Sequence, residues 1–353
     1  VRCAGPVDAN AGPAPSRPHR SSRAAAARRA ARHVWTGLIL AAAALPAAAE
    51  QAWVKPRAGD SLLISIARHD SRWLVAGERG HVLISDDARS WRQVPVPTRV
   101  MLTGVDLAGD GLGFAVGHEA TIVRTRDNGE TWERVYHDPA EQAPFLDVAV
   151  IDRQRVVAVG AYGLYAESRD AGETWDLMVI EPEELDPATA GQEDEFFYDY
   201  HLNELAVADD GRWYIAAEAG TVYRSDDAGG TWKRLPSPYE GSFFGVLPMR
   251  RNEVLLFGLQ GRLFRSTDAG ESWQRIDTGT DATLTSGVRS DDGAALIAGH
   301  AGIVLQRRGD GIHRTRLENR PGVSDVRLLE DGSVLTAGEG GIRRWPPDIL
   351  AGR

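Results

Sequence analysis

Beyond residue 50 the apolar residues fall into runs of about five, with turn-forming residues between them and little 3.6-residue periodicity. Seven of these runs end in a tight Gly-x-x-Gly-like turn, at residues 77–80, 117–120, 160–163, 217–220, 258–261, 299–302 and 338–341. Successive turns start 40, 43, 57, 41, 41 and 39 residues apart. That period is the length of a four-stranded antiparallel unit, too long for a hairpin repeat. In the fourth unit the pattern predicts strands over 204–208, 212–217, 221–225 and 232–235, with Asp209-Asp210-Gly211 turning between the first two.

An octet repeats in phase with these runs. Ser225-Asp226-Asp227-Ala228-Gly229-Gly230-Thr231-Trp232 returns at 125–132, 168–175 and 266–273, and one residue shorter at 85–91. Its aspartates are Asp87, Asp127, Asp170, Asp227 and Asp268; its tryptophans are Trp91, Trp132, Trp175, Trp232 and Trp273. The aspartate can accept backbone N–H groups within its own turn, and the glycine allows an angle that a Cβ resists. A self-stapled loop followed by a core-building tryptophan accounts for the pattern. It is not a calcium loop: a third oxygen ligand before the glycine and a closing glutamate are both missing.

Seven such units predict an all-β fold, a seven-bladed β-propeller spanning residues 50–353. The sixth unit replaces the octet with Arg307-Arg308-Gly309-Asp310-Gly311, and the seventh runs out at Trp345-Pro346-Pro347. Residues 51–55, Gln-Ala-Trp-Val-Lys, look like the fourth-strand entry at 130–134 and are expected to complete the seventh blade.

The octet resembles the Asp-box, or BNR repeat, of sialidases, the sortilin luminal domain and photosystem II assembly factors of the Ycf48/HCF136 type. In those families the box lies on the outer loop between third and fourth strands and marks the fold, not catalysis. The whole of residues 50–353 resembles the Ycf48/HCF136 group. In oxygenic phototrophs that group helps assemble the photosystem II reaction centre on the lumenal side. The resemblance implies a non-catalytic scaffold for a membrane-protein complex or other envelope protein, without a cofactor.

The first fifty residues differ in kind. Residues 1–22 carry Pro, Ala, Ser and Arg without apolar periodicity and read as unstructured or as a mis-assigned start. Residues 23–49 have a basic segment, an apolar stretch from Val34 to Leu45 and Ala47-Ala48-Ala49, the anatomy of a cleavable export signal. About 12 apolar residues fall short of the roughly 20 that span a bilayer, so the chain is expected to be periplasmic or secreted, without membrane insertion after cleavage, and monomeric. The sole cysteine, Cys3, allows no internal disulfide. Removing seven Arg and one Asp with the signal leaves 33 basic and 49 acidic residues, a formal charge of −16. Such a surface repels nucleic acid and anionic lipid.

The long step between the third and fourth turns is an insertion over 181–200. Seven carboxylates precede Phe196, Phe197, Tyr198 and Tyr200 in it. Blade-to-blade connections share a face with the Gly-x-x-Gly turns. A binding face is therefore expected to include Glu78, His118, Glu119, Tyr162, His201, Asn203, Glu218, Gln260, His300 and Glu339 with those aromatics. Thirteen residues before each turn stands the start of an inner strand: Ile64, Gly104, Asp147, Glu204, Gly245, Ser286 and Asp325. Asp147, Glu204 and Asp325 are expected at the channel mouth.

A competing class is a secreted glycosidase using Asp147 and Glu204, on adjacent blades, as its two carboxylates. A sialidase-like site would instead need three arginines, and no inner strand starts with one. The scattered histidines His118, His201 and His300 lack a metal-ligand spacing, so no metal is expected.

Overall fold

The second strand of every blade is buried along nearly its whole length, which is why it reads as an unbroken apolar run and not as an alternation. A computed structural model describes residues 50–140, 142–180 and 200–350. The proposed leader segments 1–22 and 23–49 lie outside the described residues, as does all of the insertion except Tyr200.

The strands group into seven antiparallel sheets, each in simple up-and-down order. Six have four strands; the fourth, for example, runs Leu202–Val207, Trp213–Ala217, Val222–Ser225 and Lys233–Arg234. The seventh has three: Val323–Leu328, Val334–Gly338 and Arg343–Trp345. The innermost strands touch one another in a ring, which closes between Val323–Leu328 and Leu63–His69. Each hydrophobic cluster spans a seam between neighbouring blades; Leu74, Ile84, Val105 and Ala115, for instance, belong to blades one and two. Burying both faces of every sheet in this way makes the seams the core.

The Gly that ends most second strands is set by space. At Gly117 and Gly258 a Cβ would lie within 3.0 Å of the Cα of Leu102 and Phe243 on the paired inner strand. The pairing skips a residue at that point in each blade.

The boxes form as their chemistry requires. In blade four the Ser225 hydroxyl donates to Asp227 Oδ1 at 2.7 Å and accepts the Gly229 N–H at 2.7 Å; Asp227 then accepts the Thr231 N–H and hydroxyl, each at 2.8 Å. These bonds to the charged form hold the carboxyls of Asp170, Asp227 and Asp268 down to about 2. Their tryptophans are half-buried, each wedged into the seam with the preceding blade instead of into the centre of its own. An arginine of the preceding blade clasps the box from the other side. Arg124, Arg155 and Arg224 donate to the carbonyls of Ala171, Ala228 and Ala269 at 2.6, 2.6 and 2.9 Å.

The N-terminal segment corrects the sequence reading. Residues 51–55 add no strand to blade seven; they lie along the outer strand of blade one. The Ala52 N–H donates to the Val96 carbonyl at 2.8 Å, and Gln93 bonds both the Trp53 carbonyl and the Lys55 N–H. Trp53 is 54% exposed and sits under the Arg99 guanidinium. Only the turn Ala58–Asp60 reaches blade seven. There Ala58 is buried beside Leu335 and Ile342, and the Ile342 N–H donates to the Gly59 carbonyl. Ala58 thus fills the seam where other blades use the end of a fourth strand, such as Leu235 or Leu317.

Candidate functional site

At the start of five of the seven inner strands one side chain points at the neighbouring blade. Asp147 Oδ2 accepts the Leu205 N–H at 2.9 Å, Glu204 Oε2 the Val246 N–H at 2.7 Å, and Asp325 Oδ2 the Ile66 N–H at 2.7 Å. Ser65 and Ser286 make longer versions to Val105 and Val326, at 3.2 and 3.3 Å. Ser65, not Ile64, holds this position in blade one, because that hairpin is one residue shorter than the rest. Five of the seven seams are latched by that residue; Gly104 and Gly245, which carry no side chain, leave the other two. One step outward, Asp106 accepts the Val150 N–H at 2.7 Å and spans the seam beside Gly104. Asn203, expected on the binding face, is also a latch, donating to the Phe243 carbonyl at 2.8 Å.

Burial raises these acids. Desolvation pushes Asp147 up to about 7, against the backbone bonds that favour its charged form. Glu204 is pushed up to about 8 by desolvation and then by Asp147. Asp106 is raised by burial as well. Both Asp147 and Glu204 are half-buried, and Arg327 is paired to Asp325. Asp147 and Glu204 therefore do lie within electrostatic reach of each other, yet each has an oxygen engaged by the next blade.

The Gly-x-x-Gly turns form the outer part of this face. Their third residues, among them Arg79, Tyr162 and Gln260, adopt the left-handed region at φ 56 to 58°. Tyr162, 46% exposed, meets the His201 ring edge-on at 5.2 Å between centroids. His201 Nδ1 lies 3.7 Å from Glu218, making one cluster across blades three and four. The remaining expected residues stay apart. Glu119 faces His137 at 3.9 Å, Gln260 accepts the Tyr239 hydroxyl at 3.3 Å, and Glu339 accepts the Gly322 N–H at 3.0 Å. Glu78 is half-buried at its turn, and His118 and His300 are exposed. Phe196, Phe197 and Tyr198 lie outside the described residues. Among the described residues no group of three His, Cys, Asp or Glu side chains is placed to hold a metal, and no helix is long and apolar enough to cross a membrane.

Sequence reasoning missed Asp106 and the clasping arginines. Asp106 was visible two residues after Gly104. The arginines carried no common spacing, since Arg124 and Arg224 lie on third strands whereas Arg155 precedes a second strand.

The fold and these seams can be compared with known proteins. The family model for the Photosynthesis system II assembly factor YCF48 matches residues 83–183 and 135–298. The chloroplastic photosystem II stability/assembly factor HCF136 of Cyanidioschyzon merolae is 40% identical over 52 residues, covering 14% of this chain and 12% of that protein. The structure of YCF48 bound to D1 peptide is similar with a TM-score of 0.64 at 13% identity, over 84% of this chain and 96% of that one. A streptogramin B lyase reaches a TM-score of 0.67 at 13% identity, over 81% and 93%. At such identities the structures speak for the fold, a seven-bladed propeller that binding proteins and an enzyme both use. With the family pattern running from blade one into blade six, the chain belongs to the YCF48 family of photosystem II assembly factors.

Proposed function

We propose that this protein is an exported, non-catalytic scaffold that holds a membrane-protein partner during assembly, using the face of Gly-x-x-Gly turns around Tyr162, His201 and Glu218. The observation that carries the reading is the use of the inner carboxylates. Asp147, Glu204 and Asp325 each spend an oxygen on the next blade's backbone, so the inner carboxylates of the face serve to join blades. What projects beyond them is an aromatic, a histidine and a glutamate in one cluster, the composition of a contact surface. The D1 peptide bound by YCF48 supports a partner of the membrane-protein kind. The basic and apolar segments of residues 23–49 support export.

Crosslinking in the native envelope tests this reading. A photoreactive group at Tyr162 should capture a membrane protein, and deletion of 183–199 should abolish the capture. Capture that survives the deletion, or none at all, refutes the proposed face.

A second reading, a glycosidase, draws on Glu204, which burial keeps in its acid form at neutral pH as a general acid requires. Hydrolysis of a glycan panel by the wild type, lost in Glu204→Gln, would establish it; an inactive wild type removes it.

A further inference from the structure

Among the described residues the seventh sheet is one strand short, and the seam it shares with blade one opens into a cleft of about 560 Å³. The cleft has a local cause. In other boxes the glycine packs against the preceding blade: a Cβ on Gly129 would lie 2.5 Å from Leu74, and one on Gly270 2.5 Å from Leu235. Blade one's box is the shortened one, and Arg89 follows Ala88 where the others have Gly. The floor of the cleft is the buried pair Trp73 and Leu329.

Arg344, from the outermost strand of blade seven, lines this cleft, so the open sheet edge and the cavity are contiguous. The lining carries five carboxylates against three guanidinium groups. Arg68 is paired with Glu330, and Arg89 and Arg344 both turn to Asp331. Asp86 is held by Arg72 at 3.2 Å and Asp87 by its own box, whereas Asp70 faces only His69 at 3.6 Å. The side chains of Asp70 and Glu330 are 90% and 83% exposed at the rim.

We propose that the edge of Arg343–Trp345 and this cleft form one docking site for an extended segment of a partner protein. The segment pairs antiparallel as the fourth strand of blade seven and lays a lysine or arginine side chain into the acidic cleft. An unpaired edge supplies backbone donors and acceptors for such an added strand, and the adjoining cleft supplies the side-chain preference. The length needed is small, since the fourth strand of blade four is only Lys233–Arg234. Ala58 already occupies the upper end of the position, so the added strand lies below it. The proposal rests on the scaffold reading in one respect: it takes the partner to be a protein.

Amide exchange and peptide binding test it on the full mature chain. In the free protein, amides of 343–345 should exchange faster than those of the fully paired strand Leu263–Ser266. Equal protection would mean that the chain covers this edge itself, and would overturn the proposal. A fluorescein-labelled octapeptide of alternating Val and Lys should bind at 150 mM salt and slow exchange at 343–345, while its Val/Glu counterpart should not bind. The double variant Asp70→Lys, Glu330→Lys alters two exposed side chains and should weaken binding at least tenfold. Absence of binding, binding without protection at 343–345, or equal binding by the variant would each overturn the site. Envelope capture through Tyr162 is read separately, so either proposal can fail alone.

Discussion

Asp325→Ala should open the propeller at its closing seam. Among the described residues no strand is shared between blades seven and one; Asp325 bridges their inner strands, and beside it Arg327 donates to the Ile66 carbonyl at 2.6 Å. Asp325 accepts the Ile66 N–H at 2.7 Å, the Ser286 hydroxyl at 2.6 Å and the Val326 N–H at 2.7 Å, and it pairs with Arg327. Asp325 is 6% exposed and Ile66 fully buried, so solvent cannot readily replace the lost acceptor. A buried donor left unpaired costs about 1–3 kcal/mol, and breaking a buried charged pair about 3–5 kcal/mol. These costs overlap, because Ser286 still reaches the Val326 N–H. The expected loss is about 3–5 kcal/mol, or about 6–20 °C in Tm at about 2–4 °C per kcal/mol. Asp325→Asn keeps the shape and one acceptor and should lose about half as much. Calorimetry reads the Tm, and amide exchange should show Ile66 losing protection before the box amides do. A Tm for Asp325→Ala within about 2 °C of wild type, less than 1 kcal/mol on the same scale, would refute the closing role.

The raised acids fix a pH dependence. In the folded state Asp147 and Glu204 keep protons that the unfolded chain releases near pH 4. Their contribution is therefore fully present below that pH and is lost as pH rises through about 7 and 8. Glu204→Gln should flatten the fall in Tm between pH 5 and 9; an unchanged slope counts against the assignment. The boxes act in the opposite sense. Asp170, Asp227 and Asp268, held to about 2, stabilise above the unfolded pKa, and that contribution is lost as pH falls through about 2. Triple Asn substitution at these positions should reduce the steepness of acid unfolding followed by circular dichroism. Gly129→Ala combines a φ of +85° with a Cβ 2.5 Å from Leu74 and should cost about 2–4 kcal/mol in chemical denaturation. Deleting 50–55 removes buried Ala52 and its bond to the Val96 carbonyl along with a few exposed bonds, and at about 1–2 kcal/mol should lower Tm by about 2–8 °C. Extending the deletion through Asp60 removes buried Ala58 and should lower it further.

Much of the architecture was legible because spacing and burial repeat together. Seven turns, five of their six intervals near 41 residues, gave seven sheets, and the strands read for blade four fall within two residues of Leu202–Val207, Trp213–Ala217, Val222–Ser225 and Lys233–Arg234. The N-terminal segment was misplaced because Trp53-Val54-Lys55 imitates a box exit without the box. Nothing in five residues says which sheet edge they meet, and here Gln93 and Arg99 of blade one hold them. The constant spacing also pointed to Ile64 where a one-residue deletion puts Ser65. Among the face residues, Tyr162, His201 and Glu218 converge because their blades are neighbours. Asn203 was misread since its place in a strand does not reveal that its amide reaches the next blade's carbonyl.

On the proposed reading the inner acids join blades while the turn face recognises a protein. Photocrosslinking from Tyr162, performed in the native envelope with wild-type and Glu204→Gln proteins and with a control probe at Thr131 in a box, tests it most directly. The same membrane protein should be captured through Tyr162 in both proteins and not through Thr131. Equal capture from the two probe positions, or capture lost with Glu204→Gln while the Tm is unchanged, would contradict it.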